Sequence, residues 1–149
     1  MKVWGMWTVG AVAVVAIGFA GWVRLAPTDA ARWHQRADVS GLGHMPSTGG
    51  HIWRGAVEGG GGVEMAQLDR IIRATPRTTV IAGSVGAGMV TYETRSKLWG
   101  FPDYTTLSVD AESAGQTTVE IYSRLRFGTS DMGVNRDRIM GWLEAAGQG

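Results

Sequence analysis

The chain predicts an α+β domain carried on an N-terminal transmembrane helix. Two observations predict the domain. An amphipathic helical pattern stands at each end of residues 63–149, and between them lie four segments in which apolar and polar residues alternate. A third observation predicts the anchor: residues 3–23, "VWGMWTVGAVAVVAIGFAGWV", carry no charge. The expected order within the domain is helix, four strands, helix, in two layers with both helices on one face of a four-stranded antiparallel sheet.

Length and composition bound this reading. At 149 residues there is room for one ordinary domain. Fourteen Lys and Arg face thirteen Asp and Glu, so nothing in the charge points to nucleic acid. There is no cysteine, which excludes disulfides, thiolate metal sites and a Cys nucleophile together.

The anchor, assigned to residues 1–25 and inserted through 3–23, spans roughly 30 Å as a helix and so matches the hydrocarbon thickness. Lys2 and Arg24 bracket it, and Trp4, Trp7 and Trp22 sit near its ends, where indoles prefer the headgroup level. It reads as a retained anchor and not as a cleaved signal, because the apolar run exceeds a signal core and "GWVRLAP" lacks a small-x-small cleavage site. Gly10, Ala16, Gly18, Ala20 and Gly21 keep it slim. Slim helices approach one another closely in membranes, so a membrane protein partner is one reading of these residues; an Ala/Gly-rich anchor without a docking role is the other. Arg24, Arg32 and Arg36, diluted by Asp29 and Asp38, outweigh Lys2 and lean the domain towards the cytoplasm.

Residues 26–62 are rich in turn formers and read as a Gly-rich tether with little regular structure. Within it, "TDAARW" suggests a short helix capped by Thr28, "HIWRGAV" a short strand, and the glycines at 59–62 a flexible joint. His34, His44 and His51 all fall here; their spacing matches no short metal-ligand motif, and they read as solvent-exposed. No metal and no cofactor are expected.

The domain begins with "VEMAQLDRIIRATP", which places Met65, Leu68, Ile71 and Ile72 on one helical face and Asp69, Arg70 and Arg73 opposite, with Pro76 as the stop. The strands follow as "RTTVIAGS", "GMVTYETRSKLWG", "DYTTLSVDAES" and "TTVEIYSRLRF". In the last, Val119, Ile121, Ser123, Leu125 and Phe127 alternate against Glu120, Tyr122, Arg124 and Arg126. Short links, "GSVGAG", "GFP" and "SAGQ", make neighbours antiparallel. "GSVGAG" lies between strands and lacks the Lys-Ser/Thr of a phosphate loop, so it is a hairpin. "RDRIMGWLEAA" closes the domain with Ile139, Trp142, Leu143 and Ala146 on one face. The sheet face away from the helices carries Glu93, Arg95, Glu120, Tyr122, Arg124 and Arg126 and is expected to be polar.

The densest stretch is the corner "RFGTSDMGVNRDRIMGWL". As a structural corner it needs Asn135 as helix N-cap, Val134 and Ile139 as a hydrophobic staple, and Asp131 turned back onto Arg124, Arg126 or Arg136. As a ligand site it needs Arg95, Arg124 and Arg126 on one sheet face with Asp131 and Arg136 nearby, a set suited to a carboxylate or phosphate. As a catalytic site it is handicapped, since flanking arginines weaken an aspartate base and no histidine follows His51.

Two stretches, "RSKLWGFPDYTTLSV" and "VEIYSRLRFGTSDMGVNRDRIMGWL", resemble the family known as domain of unknown function 1499. The resemblance rests on Ser123, Arg124, Arg126 and Gly128, then Ser130, Asp131, Gly133, Val134, Asn135 and Arg136, with Arg95 and Asp103 upstream. It covers roughly 63–146. The tether "APTDAARWH" looks like a membrane-anchored proteobacterial subgroup, and this chain lacks the Pro- and Cys-containing segment that many members carry before the first helix. The resemblance implies no chemistry. It implies a domain outside the cytoplasm, hence a bacterial inner-membrane protein facing the periplasm.

The expected function is that of a binding or assembly module, for an anionic ligand or a membrane protein partner. The alternatives are an enzyme acting on an anionic substrate through an Asp/Arg cluster, and an anionic-lipid binder. The candidate polar cluster is Arg95, Asp103, Arg124, Arg126, Ser130, Asp131, Asn135 and Arg136.

Overall fold

The computed structural model describes residues 2–111 and 116–148. The turn expected at 113–116 lies, up to residue 115, outside the described residues, as does the end of the strand expected to run into it. The side chains of Lys2 and Trp4 are outside the description as well.

Helix α1 (Lys2–Leu25) is followed by a single turn, α2 (Ala30–Trp33), and by strands β1 (Gly43–Ser47) and β2 (Gly50–Val57). Then come α3 (Gly62–Ala74), β3 (Thr78–Ser84), β4 (Met89–Arg95), β5 (Pro102–Ala111), β6 (Thr117–Leu125) and α4 (Val134–Ala145). The architecture is α+β. One stretch of α1, Met6–Leu25, is long and apolar enough to cross a membrane, a test that a signal sequence also passes.

The sheet has six strands in the order β1-β2-β6-β5-β4-β3, and every neighbouring pair is antiparallel. The four expected strands are there as a β3–β6 meander. The expectation of four strands flanked by two helices is corrected by β1 and β2, which arise from 43–57 and place a hairpin ahead of α3. β2 runs along β6 from Gly50 opposite Arg124 to Val57 opposite Thr117. The physical reason is plain: without β2, the row of peptide groups along β6 would lie unpaired in the middle of the domain.

One face of the sheet is apolar. Met65, Leu68 and Ile72 of α3 and Ile139, Trp142 and Leu143 of α4 pack on Val90, Tyr92, Leu107, Val119 and Ile121. These are the residues that the alternation and the helical periodicity select. Asp69 joins them from the side expected to be polar. Its carboxylate accepts from the Tyr92 hydroxyl at 2.6 Å and from Arg73 Nε at 2.8 Å. Burial and that hydrogen bond raise the Tyr92 pKa far above its ordinary value, so the phenol stays a donor. α3 enters after Gly61, which has φ 67°; a Cβ there would press on Val109 and Thr117 at 3.1 and 3.2 Å. Backbone and space both select glycine.

The other face is polar, as expected, yet it is buried. Residues 26–39 run across it as a strap.

Candidate functional site

The strap-covered face is built from alternate residues of β2, β4, β5 and β6, whose registers place Arg54 opposite Glu120 and Tyr104 opposite both Glu93 and Arg124. Arg54, Thr91, Glu93, Thr106, Glu120 and Arg124 are all buried. What buries them is their own chain. Trp33 stacks on Tyr104 with ring centroids 4.1 Å apart. Thr28 donates to Glu93 Oε2 at 2.8 Å, and His34 Nδ1 meets the Thr91 hydroxyl at 2.9 Å. The amide of Ala37 donates to Glu120 Oε1 at 2.9 Å. The Thr28 hydroxyl is thus turned into the face, and the cap of α2 is Asp29, whose carboxylate accepts from the amides of Ala31 and Arg32. This replaces the expected Thr28 cap.

The arginines of this face bind backbone carbonyls. Arg124 donates to Trp33 O, Arg126 to Pro27 O at 2.9 Å, and Arg54 to Val39 O at 3.0 Å. Arg95 pairs with Glu93 at 2.6 Å and also reaches Val23 O and Gly100 O at 3.4 and 3.2 Å. Arg124 lies over the rings of Tyr122 and Trp33, at 4.1 and 5.6 Å from their centroids, a cation–π arrangement. Its Nε and Nη1 have no hydrogen-bond partner among the described residues, and burial pulls its pKa down. Arg54 and Glu120 form a buried pair at 3.5 Å. Burial raises the Glu120 carboxyl pKa, opposed by the Ala37 amide and by Arg54.

The loop between β4 and β5, with Phe127, holds the end of α1. Val23 is fully buried, and Arg24 donates to Leu98 O at 3.0 Å. Phe19 and Trp22 lie against Phe101 and Phe127, with ring centroids 6.0 and 5.8 Å apart.

The corner is a separate place. Asp131 accepts from the amides of Asn135 at 2.8 Å and Gly133 at 3.2 Å. Partial burial would raise its pKa; the Asn135 and Gly133 amides outweigh that and hold it below the ordinary Asp value. Asp131 is therefore the side chain that caps α4, and the expectation that Asn135 does so is corrected. Asn135 is inside the first turn and fully buried. Its Oδ1 accepts from Ser123 and from Arg138, both at 2.8 Å. Arg138 continues to Asp103 at 3.1 Å, and Ser123 to Thr105 at 2.7 Å. Burial raises the Asp103 pKa against the pull of Arg138. This polar thread pins α4 to β5 and β6.

The eight candidate residues thus fall in three places. Arg124 and Arg126 bind the strap, and Arg95 stands at the edge of the same face against Val23 and Gly100. Asp103 and Asn135 are between sheet and α4. Ser130, Asp131 and Arg136 are at the corner surface, where the Ser130 hydroxyl accepts from the Met132 amide at 3.3 Å. Sequence reasoning missed Trp33, Arg54, Glu93 and Tyr104 as members of one network. The signal present was the polar alternation of three strands, which reads as a wet face when the covering segment is unknown.

The histidines are not equally exposed. His51 is buried under α4, with its Nε2 3.1 Å from Nδ1 of His44, and His34 is half-buried against Thr91. Burial, then His44 and Arg136, lower the His51 pKa, with Asp131 opposing. Among the described residues no group of three His, Asp or Glu side chains is placed to hold a metal ion.

A family model described as "Protein of unknown function (DUF1499)" matches residues 56–145, and the chain belongs to that family. No curated protein matches the chain.

Proposed function

We propose that this is a single-pass inner-membrane protein, anchored by α1, whose α+β domain serves on the periplasmic side as a binding or assembly module at the membrane surface. The observation that carries the reading is the clamp between α1 and the domain. Arg24 and Arg95 bind carbonyls across the junction, and Phe19 and Trp22 pack on Phe101 and Phe127. A domain clamped to its span presents one fixed orientation to whatever lies beside it in the bilayer. Elsewhere on α1, a Cβ at Gly10, Gly18 or Gly21 would meet nothing within 4 Å, so these small residues are open to a neighbouring helix. The enzyme alternative has less support. Asp131 has both carboxylate oxygens engaged by amides and a lowered pKa, which makes it a weak base.

The test is a mild-detergent pull-down of the tagged full-length chain from native membranes with quantitative mass spectrometry. A stoichiometric membrane partner that is lost in Gly10→Leu/Gly18→Leu supports the assembly reading, and a protein recovered alone overturns it. Sidedness has its own test: alkaline phosphatase fused to the C-terminus is expected to be active, and an inactive fusion places the domain in the cytoplasm.

A further inference from the structure

The loop between β4 and β5, residues 96–101, has a feature that a water-exposed hairpin lacks. Leu98 is 75% exposed and Trp99 39%, next to the half-buried Phe101. Trp99 and Phe101 do not fold back on the domain core. With Val12, Val15, Ala16 and Phe19 of α1 they wall an apolar cleft of about 460 Å³. Val12 and Val15 lie roughly 12–16 Å along the helix from the buried Val23, at a rise of 1.5 Å per residue. The loop therefore runs alongside the apolar helix and not only at its end.

The same loop walls a second cavity of about 450 Å³. That cavity is lined by four cations, Arg24, Arg77, Arg95 and Lys97, against one carboxylate, Glu93. Among the described residues only Arg95 is paired with a carboxylate, and Glu93 is further engaged by Thr28 and Tyr104. Arg24 and Arg77 are held in place by the carbonyls of Leu98 and Arg95, which leaves guanidinium N–H groups over. Gly100 separates the two cavities. It has φ 75°, and a Cβ there would strike the Arg24 side chain at 2.9 Å, so glycine lets Arg24 lie across the loop.

We propose that these two cavities form one site for an anionic phospholipid, with the headgroup phosphate among Arg24, Arg77 and Lys97 and an acyl chain along Phe19, Trp99 and Phe101. The inference rests on the reading of α1 as a membrane span and goes beyond it by naming a ligand class. Both volumes fall in the ordinary range of ligand pockets, roughly 300–1,000 Å³. The apolar cleft is continuous with a helix that is apolar all round, so in a bilayer its occupant is hydrocarbon. The cation excess, with Arg24 at the end of the span, stands where a phosphate would sit above that hydrocarbon. The site doubles as a foot: it holds the domain down on the bilayer beside its own anchor.

The test uses the full chain in mild detergent, titrated with phosphatidylglycerol or phosphatidylcholine and read by native mass spectrometry. Phosphatidylglycerol is expected to bind about tenfold more tightly than phosphatidylcholine. Arg77→Gln/Lys97→Gln alters exposed side chains and is expected to erase that preference with the melting temperature unchanged. Leu98→Ser/Trp99→Ser is expected to weaken both lipids. Equal binding of the two lipids, or a preference that survives the charge variant, overturns the proposal. So does glycerol phosphate competing as well as the intact lipid, which would make the site one for a free phosphate compound. Photocrosslinks from position 99 to a membrane protein in place of lipid overturn it also. Flotation of the same chain with vesicles separates the two readings. A chain that does not float sinks the anchor and the lipid site together, whereas one that floats without lipid preference sinks the lipid site alone.

Discussion

The two faces of the sheet are both covered, by different means. Under α3 and α4 the contacts are apolar and non-directional, and Leu68, Ile72, Ile121 and Ile139 are fully buried. Under the strap, the contacts are directional: arginines on carbonyls, a buried Arg54–Glu120 pair, an aromatic stack. The first kind of face tolerates substitutions that preserve volume. The second tolerates almost none that leave a charge without its partner.

The sharpest way to break this contrast is to remove one half of the buried ion pair. Arg54→Leu leaves Glu120 buried with its main charge partner gone, and a loss of about 3–5 kcal/mol is expected in denaturant titration. The double variant Arg54→Leu/Glu120→Leu is expected to recover most of that loss; no recovery would show that the pair is not the relevant contact. On the helix face, Leu68→Ala should cost about 2–5 kcal/mol with no charge variant able to rescue it. Trp33→Ala should cost about 1–2 kcal/mol. Its signature is local: amide exchange speeds up in 28–39 and stays slow in α3 and α4. Asp131→Ala at the corner should cost about 1 kcal/mol, as loss of a helix cap does.

The smallest effect is a pH dependence. His51 has a folded pKa below the ordinary 6.5, chiefly through burial, then through His44 and Arg136. Between the two values the unfolded chain binds more protons than the folded one. The contribution is present above about pH 6.5 and is lost as pH falls towards the folded pKa. His51→Gln is expected to flatten the fall in melting temperature between about pH 7.5 and 5.5. An unchanged slope would assign the fall to other groups.

The same contrast explains what could be read from the sequence. The helix-covered face was legible because burial on one side only leaves an alternation: Val119 and Ile121 against Glu120 and Tyr122, Leu68 and Ile72 at helical spacing. β2 was legible as a strand, "HIWRGAV", though not as part of this sheet. It is covered on both faces and so alternates poorly, and its partner β6 lies some sixty residues further along. β1 carries Gly43 and Pro46, which hide a strand, and Pro46 is tolerated because β1 is an edge. The polar face misled through chemistry: arginine and glutamate alternating along a strand look solvated until a peptide supplies their partners. Alternation along the strands already sets Asp103 in phase with Thr105 and Leu107, and Arg124 in phase with Glu120 and Tyr122. What it could not say is that Asn135 turns into the first turn of α4 to meet Ser123.

Residues 26–39 seal the polar face of the sheet. Amide hydrogen exchange on the full chain in lipid nanodiscs tests that seal most directly. The amide of Ala37, held by Glu120, and that of His34, held by Ala30 O, should exchange orders of magnitude more slowly than free peptide. They should speed up in Trp33→Ala. Exchange of 26–39 at the free-peptide rate, with the sheet still protected, would show a loose tether and contradict the account.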